Sequence, residues 1–182
     1  MNKKIYLIFN KPNKVLSSIK KDNKYITIND FISYLEEYNL HLIGRLDYNT
    51  RGALLITNDG ILSNKLMHPK YKIPKMYLVK VKGIPSVHSL NILRKGMKIP
   101  DGFTGVTGVK VIGITKQKNT WLQIILNIGK NRQIINMCWR IKTPPIKIIR
   151  TSFAGISIRD LKNGDFRELS SKEIFNLYRH VR

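Results

Sequence analysis

The sequence predicts an α+β fold, a mixed, largely antiparallel central sheet with flanking helices, and three observations carry that prediction. Short segments of alternating or continuous apolar residues recur along the whole chain. Several are joined directly by turn residues, Asp101-Gly102 being the clearest. Helical periodicity occurs only in single segments between strands, each behind a capping residue, without the regular strand–helix alternation of a parallel sheet.

The elements follow in order. A first strand is expected over 4–9, and Lys11-Pro12-Asn13 ends it as a turn. Asn29 or Asp30 can cap a helix over 31–38, with Phe31, Tyr34, Leu35 and Tyr38 on one face. Residues 44–48 read as a loop, and the apolar run at 53–57 as a buried strand. Asp59 is placed to cap a helix through Met67, which Pro69 stops. Residues 76–81 alternate as a strand, and Ser86 caps a helix to Lys95 that Gly96 ends. After the Asp101-Gly102 turn come strands over 106–114 and 121–128, the second running into Gly129. A helix is expected over 131–140 and a strand over 146–150; Ser170-x-x-Glu173 is a capping box for a last helix reaching Arg179. No linker, repeat or charge block divides the chain, which predicts one domain over 1–182.

Composition bounds the function. At 182 residues and 42% apolar, the chain can bury a sizeable core. No apolar run approaches the ~20 residues of a membrane span, so a soluble protein without a membrane partner is expected. The apolar stretch at 5–9 is too short for a secretory leader. One cysteine, Cys138, excludes an internal disulfide and fits the cytoplasm; on an apolar helix face it reads as a buried thiol. Four scattered histidines assemble no zinc-type spacing. The net charge of +22 points to a polyanionic partner, because each phosphate contact releases condensed counterions. A lysine-rich codon bias is the competing account of that charge, and charge alone names only the class of partner.

The segment richest in chemistry is Gly44-Arg45-Leu46-Asp47-Tyr48-Asn49-Thr50-Arg51-Gly52. It sets a carboxylate in a loop between two glycines and two arginines, just ahead of a buried strand. Neighbouring arginine favours the ionised form, which suits a nucleophile or base. The alternative makes Asp47 an ordinary turn residue, its side chain hydrogen-bonded to its own backbone. Gly102, Gly105 and Gly108 lack the lysine-serine ending of a nucleotide-binding loop.

The run IGRLDYNTRGALLITNDG, residues 43–60, resembles the signature of the ribosomal RNA pseudouridine synthases of the RsuA family, with Ala53 the one visible substitution. Further segments resemble the family in the same order along the chain. Asn10-Lys11-Pro12 with Val15-Leu16-Ser17 is similar to its lysine-proline motif, and Lys75-Met76-Tyr77-Leu78-Val79 to its Lys-x-Tyr-x-Val motif. Leu66-Met67-His68-Pro69 resembles the RluB branch in particular. Gly129-Lys130-Asn131-Arg132-Gln133-Ile134 is similar to the third motif, and Ile148-Ile149-Arg150, Gly155 and Asn163-Gly164 to the tail.

That resemblance implies a pseudouridine synthase fold acting on ribosomal RNA, with the large subunit expected. Asp47 would attack or deprotonate the target ribose, so that the C1′–N1 bond breaks and uracil rejoins through C5. One carboxylate suffices: it stabilises oxocarbenium character, while the departing uracil spreads charge over its own carbonyls. Isomerisation involves no net redox change, so no metal or small-molecule cofactor is expected. Tyr77 would stack on the flipped uracil; the competing reading packs it with Val79 and Val81 in a core. Arg45 would fill the vacated stack or hold a phosphate, and Lys11 would contact backbone phosphate. Lys130, Asn131, Arg132 and Gln133 lie at an expected helix start, where free amides attract anions.

The chain departs from the family at Ile135 and Asn136, where two basic residues are usual, and at Ile128, where glutamate is usual. The first of those basic positions pairs with the catalytic aspartate in the family; here Arg132, Lys130 or Arg140 would take that role. About nine residues precede Lys11, so the chain resembles compact, RluE-type members without an N-terminal S4 domain, and a monomer is expected. The rival is a catalytically inactive RNA-binding protein of the same fold assisting ribosome assembly.

Overall fold

The computed structural model describes residues 3–182. Along the chain run β1 (Tyr6–Lys11), α1 (Asn29–Ile32), β2 (His41–Ile43), β3 (Arg51–Thr57), α2 (Gly60–Met67), β4 (Lys75–Val81), α3 (Val87–Lys95) and β5 (Met97–Ile99). There follow β6 (Gly102–Thr104), β7 (Gly108–Ile114), β8 (Thr120–Leu126), α4 (Gln133–Arg140), β9 (Pro145–Phe153), β10 (Ile156–Ser157), β11 (Phe166–Glu168) and α5 (Ser171–His180). Two compact units are built from these: Met1–Ile73 with Thr151–Arg182, and Pro74–Arg150. The arrangement is the α+β one that the sequence predicts, with antiparallel ladders in both units.

In the first unit β1 pairs antiparallel with β3 on one side and with β11 on the other; β2 pairs with β3. Both β1 and β3 are almost wholly buried, which is why 53–57 is continuously apolar instead of alternating. Against them pack Leu62 and Leu66 of α2 and Leu177 of α5, each about 1% exposed. Burying one such side chain stabilises by ~1.5–3 kcal/mol. Asp59 caps α2 by accepting from the Leu62 amide at 3.2 Å, and its carboxylate also takes the hydroxyls of Tyr6 and Tyr178. The capping box at Ser170 and Glu173 is formed.

In the second unit β4 lies antiparallel along the whole of β8, from Lys75 opposite Leu126 to Val81 opposite Thr120. Here the alternation is strict: Tyr77, Val79 and Val81 of β4, with Leu122, Ile124 and Leu126 of β8, face the core. On its other side β8 pairs with β7, which bulges between Val111 and Gly113. Ser86 caps α3 and Gly96 ends it; β5 and β6 form a hairpin through Asp101.

Three local expectations shift. The helix expected over 31–38 is the short α1 followed by a 3-10 stretch, Ser33–Tyr38, with Tyr34 68% exposed. Nothing in Ser33–Tyr38 is buried, so no packed face supports a longer α-helix. The helix α4 starts at Gln133, two residues late, because Arg132 adopts φ of +47°. β2, β10 and β11, of two or three residues, are too short to show a period in the sequence. Among the described residues no helix is long and apolar enough to cross a membrane.

Candidate active site

The connection between β2 and β3 carries Asp47. Gly44 leaves β2 with φ of +74°, a left-handed conformation that glycine adopts without steric penalty. Leu46 then turns into the core at 6% exposure, while Arg45 and Asp47 on either side of it are exposed. The Asp47 carbonyl accepts from the Thr50 amide at 2.9 Å, so the main chain closes the turn over the buried Thr50. Among the described residues the Asp47 carboxylate has no hydrogen bond or ion pair, and it is left free to act outside the turn.

Residues 11–17 grip this loop on both sides of Asp47. Ser17 Oγ donates to the Leu46 carbonyl at 2.6 Å and accepts from the Leu46 amide at 3.0 Å. The Tyr48 carbonyl accepts from the Lys14 amide at 2.9 Å and from Lys11 Nζ at 3.4 Å. The Tyr48 ring meets Tyr25 edge to face, 5.8 Å between centroids.

Lys11 corrects the sequence reading. It was expected to meet a phosphate, but it is 0% exposed, and its ammonium donates to the carbonyls of Pro12, Val15 and Tyr48. Its place in the ladder, opposite Gly52, puts the side chain inside the unit. Burial pushes the ammonium down to about 8, and the nearby Asp47 carboxylate opposes that fall. The first unit thus supplies a cation within electrostatic range of Asp47 that the sequence reading assigned elsewhere.

In the second unit Tyr77 sits on the buried face of β4, 8% exposed. Lys75, two residues earlier, is pushed down to about 8 by burial, with Arg150 adding to the effect. The third motif is tied to the β5–β6 hairpin: Lys130 Nζ donates to the Asp101 carbonyl and the Asn131 amide to the Asp101 carboxylate at 3.0 Å. Gln133, expected to bind substrate, is 3% exposed and fully engaged within the protein. Its amide nitrogen donates to Thr104 Oγ1 at 2.8 Å and to the Gly105 carbonyl at 3.2 Å, and its oxygen takes the Lys130 amide at 3.0 Å. With both ends occupied, its side chain ties the loop together. Arg132 alone of the four is an exposed cation in a left-handed conformation without a capping bond.

Sequence reasoning missed the clamp by Ser17 and the anchoring by Asp101. Ser17 stands within the lysine-proline motif, but nothing local shows that it meets a backbone 29 residues away. Asp101 carried a turn signal, which hid its second use.

The chain is 39% identical over 174 residues to the ribosomal large subunit pseudouridine synthase B of Bacillus subtilis, covering 95% of this chain and 71% of that protein. It is 37% identical over 177 residues to the ribosomal large subunit pseudouridine synthase E of Vibrio vulnificus, covering 90% and 74%. A crystal structure of a pseudouridylate synthase superposes with a TM-score of 0.82 at 25% identity, covering 97% of this chain and 75% of that one. A profile of the RNA pseudouridylate synthase family matches residues 5–139, and the chain belongs to that family.

Proposed function

We propose that this protein converts a specific uridine of large-subunit ribosomal RNA to pseudouridine, with Asp47 as the catalytic carboxylate. The observation that carries the reading is an exposed carboxylate, without a hydrogen bond of its own, on a loop gripped at Leu46 and Tyr48. Such a group is held in place without being consumed by the fold. The names of the two relatives supply the substrate class, and the charge of +22 suits a phosphodiester polyanion.

Asp47 acts on the ribose of an everted uridine, attacking C1′ or removing a ribose proton, as the C1′–N1 bond breaks. The uracil turns and bonds to C1′ through C5; the C5 proton is lost and N1 regains one, so the product is an isomer of the substrate. Tyr77 forms a wall for the ring, and Arg45 and Arg132, both exposed, hold RNA. Lys130 and Asn131 contribute through the loop they share with Asp101. Lys11 keeps a positive charge near Asp47. On this reading residues 1–182 work as one catalytic domain, a cytoplasmic monomer that needs no cofactor.

The test is incubation with ribosomal RNA lacking the modification, followed by carbodiimide-stop primer extension. A new stop with the wild-type protein and none with Asp47→Asn, at unchanged melting temperature, is expected. A stop that survives Asp47→Asn sinks the assignment of Asp47; no stop with the wild-type protein favours the inactive RNA-binding alternative.

A further inference from the structure

The charge of the chain is unevenly divided. Residues 74–150 hold 15 lysines and arginines against one acid, Asp101, a net of +14, while the remainder holds 18 against 10. Asp101 is itself occupied by Asn131 and Lys130. In this setting α4 presents Trp139 at 63% exposure, although a ring of that size is ordinarily covered over most of its surface. The helix does not need the ring for packing, since Ile134, Met137 and Cys138 already bury its other face.

Trp139 lies in the last turn of α4, where Lys142, at φ of +59°, folds back and donates its amide to the Trp139 carbonyl at 3.0 Å. Asn136 and Trp139, three residues apart, share one side of α4, and Arg132 stands just ahead of its first turn. Arg140 and Lys142, both exposed, stand next to the ring in the chain. We infer that Trp139 is a stacking platform for an unpaired base of the bound RNA, beside phosphates held by Arg132 and Arg140. The inference rests on the RNA-modifying reading above.

An aromatic face among cations, with no acid between 102 and 159, fits a polyanion that carries flat rings. A protein interface is depleted of lysine and of most charge at its core, whereas Lys142 stands three residues from this ring in a segment that holds 15 basic residues and one acid. Six helical steps, about 9 Å, separate Trp139 from Gln133, the residue after Arg132. At about 3.4 Å per stacked nucleotide, a base two or three positions from the phosphate on Arg132 would meet the ring.

The test uses the full chain and a single-stranded RNA of about 10 nucleotides. In a Trp121→Phe background Trp139 is the sole indole, and its fluorescence should be quenched as RNA is added. Trp139→Ala should weaken binding roughly 5- to 100-fold, the range expected for one lost stack, and Trp139→Phe should restore most of it. The dependence of affinity on salt should not change with Trp139→Ala, because stacking releases no counterion. Arg132→Ala should lower that slope by about 0.7. Absent quenching, unaltered affinity of Trp139→Ala, or a Trp139-dependent self-association without RNA would each overturn the platform. Pseudouridine formation measured alongside separates the two ideas: a wild-type enzyme that modifies ribosomal RNA while Trp139→Ala binds normally sinks only the platform.

Discussion

Ser17 Oγ is bound twice to Leu46, donating to its carbonyl at 2.6 Å and accepting from its amide at 3.0 Å, and Leu46 is the residue before Asp47. One hydroxyl therefore satisfies both backbone groups of the position that aims the carboxylate. Ser17→Ala should cost about 1–3 kcal/mol, since it leaves a part-buried donor and acceptor unpaired. Turnover should fall by more than the folded fraction does, because the loop loses its aim. Thermal melting and single-turnover kinetics check this together. Unchanged turnover of the folded variant would make Ser17 a stability residue only.

Lys11 gives stability a pH dependence with a defined sign. Its ammonium is held at about 8 in the folded chain against 10.5 when free, so between those values the unfolded chain binds more protons. Stability should therefore rise with pH across that window and lose the increment as pH falls through about 8. Lys75, also held at about 8, acts in the same direction, so the contribution of Lys11 is the difference between wild type and Lys11→Met. Urea unfolding from pH 7.5 to 10.5 measures it; parallel curves would remove Lys11 from the account. Above about pH 8 Asp47 also loses a neighbouring positive charge, and turnover should decline there.

Gln133 and Asn131 are two residues apart and should behave oppositely. Gln133→Leu deletes the bonds to Thr104, Gly105 and the Lys130 amide and should destabilise by about 2–4 kcal/mol. Amide exchange in the β5–β6 hairpin should accelerate with it. Asn131 binds Asp101 through its backbone, so Asn131→Ala should stay within about 0.5 kcal/mol of wild type. A neutral Gln133→Leu, measured by denaturant unfolding, would contradict the anchoring role.

Glu173 sets an acid limit. Arg167 grips it with two bonds of 2.8 and 2.9 Å, and the Ser170 backbone and side chain add to them. These partners, Arg167 first, hold the carboxyl at about 2 against an ordinary 4.5. The stabilisation is complete above 4.5 and disappears as pH falls through about 2. Glu173→Gln should flatten that part of the melting-temperature profile and lower the plateau above it. A profile unchanged in shape would exclude the pair as the source.

Local signals were legible wherever one short segment contains the whole interaction. The Asp59 and Ser86 caps and the Ser170–Glu173 box need only a hydroxyl or carboxylate within three residues of a free amide, and all three form. The Asp47 loop was legible for a similar reason: Gly44 marks the turn and a polar run interrupts two apolar segments. The 31–38 helix misled because only its start is packed: Phe31 meets Phe9, whereas nothing from Ser33 to Tyr38 is buried and Tyr34 stays exposed.

The sequence by itself determined the fold class, the order of most elements, the family, and a carboxylate set in a glycine-bounded loop. Only the tertiary structure decided that Lys11 and Gln133 lie inside, that Ser17 holds Leu46 from 29 residues away, and that Trp139 is left uncovered. The physical reason is that capping, turning and periodicity depend on neighbours in the chain. Burial depends on which distant surface closes over a side chain, and for Lys11 that is settled by a strand register that sets it opposite Gly52.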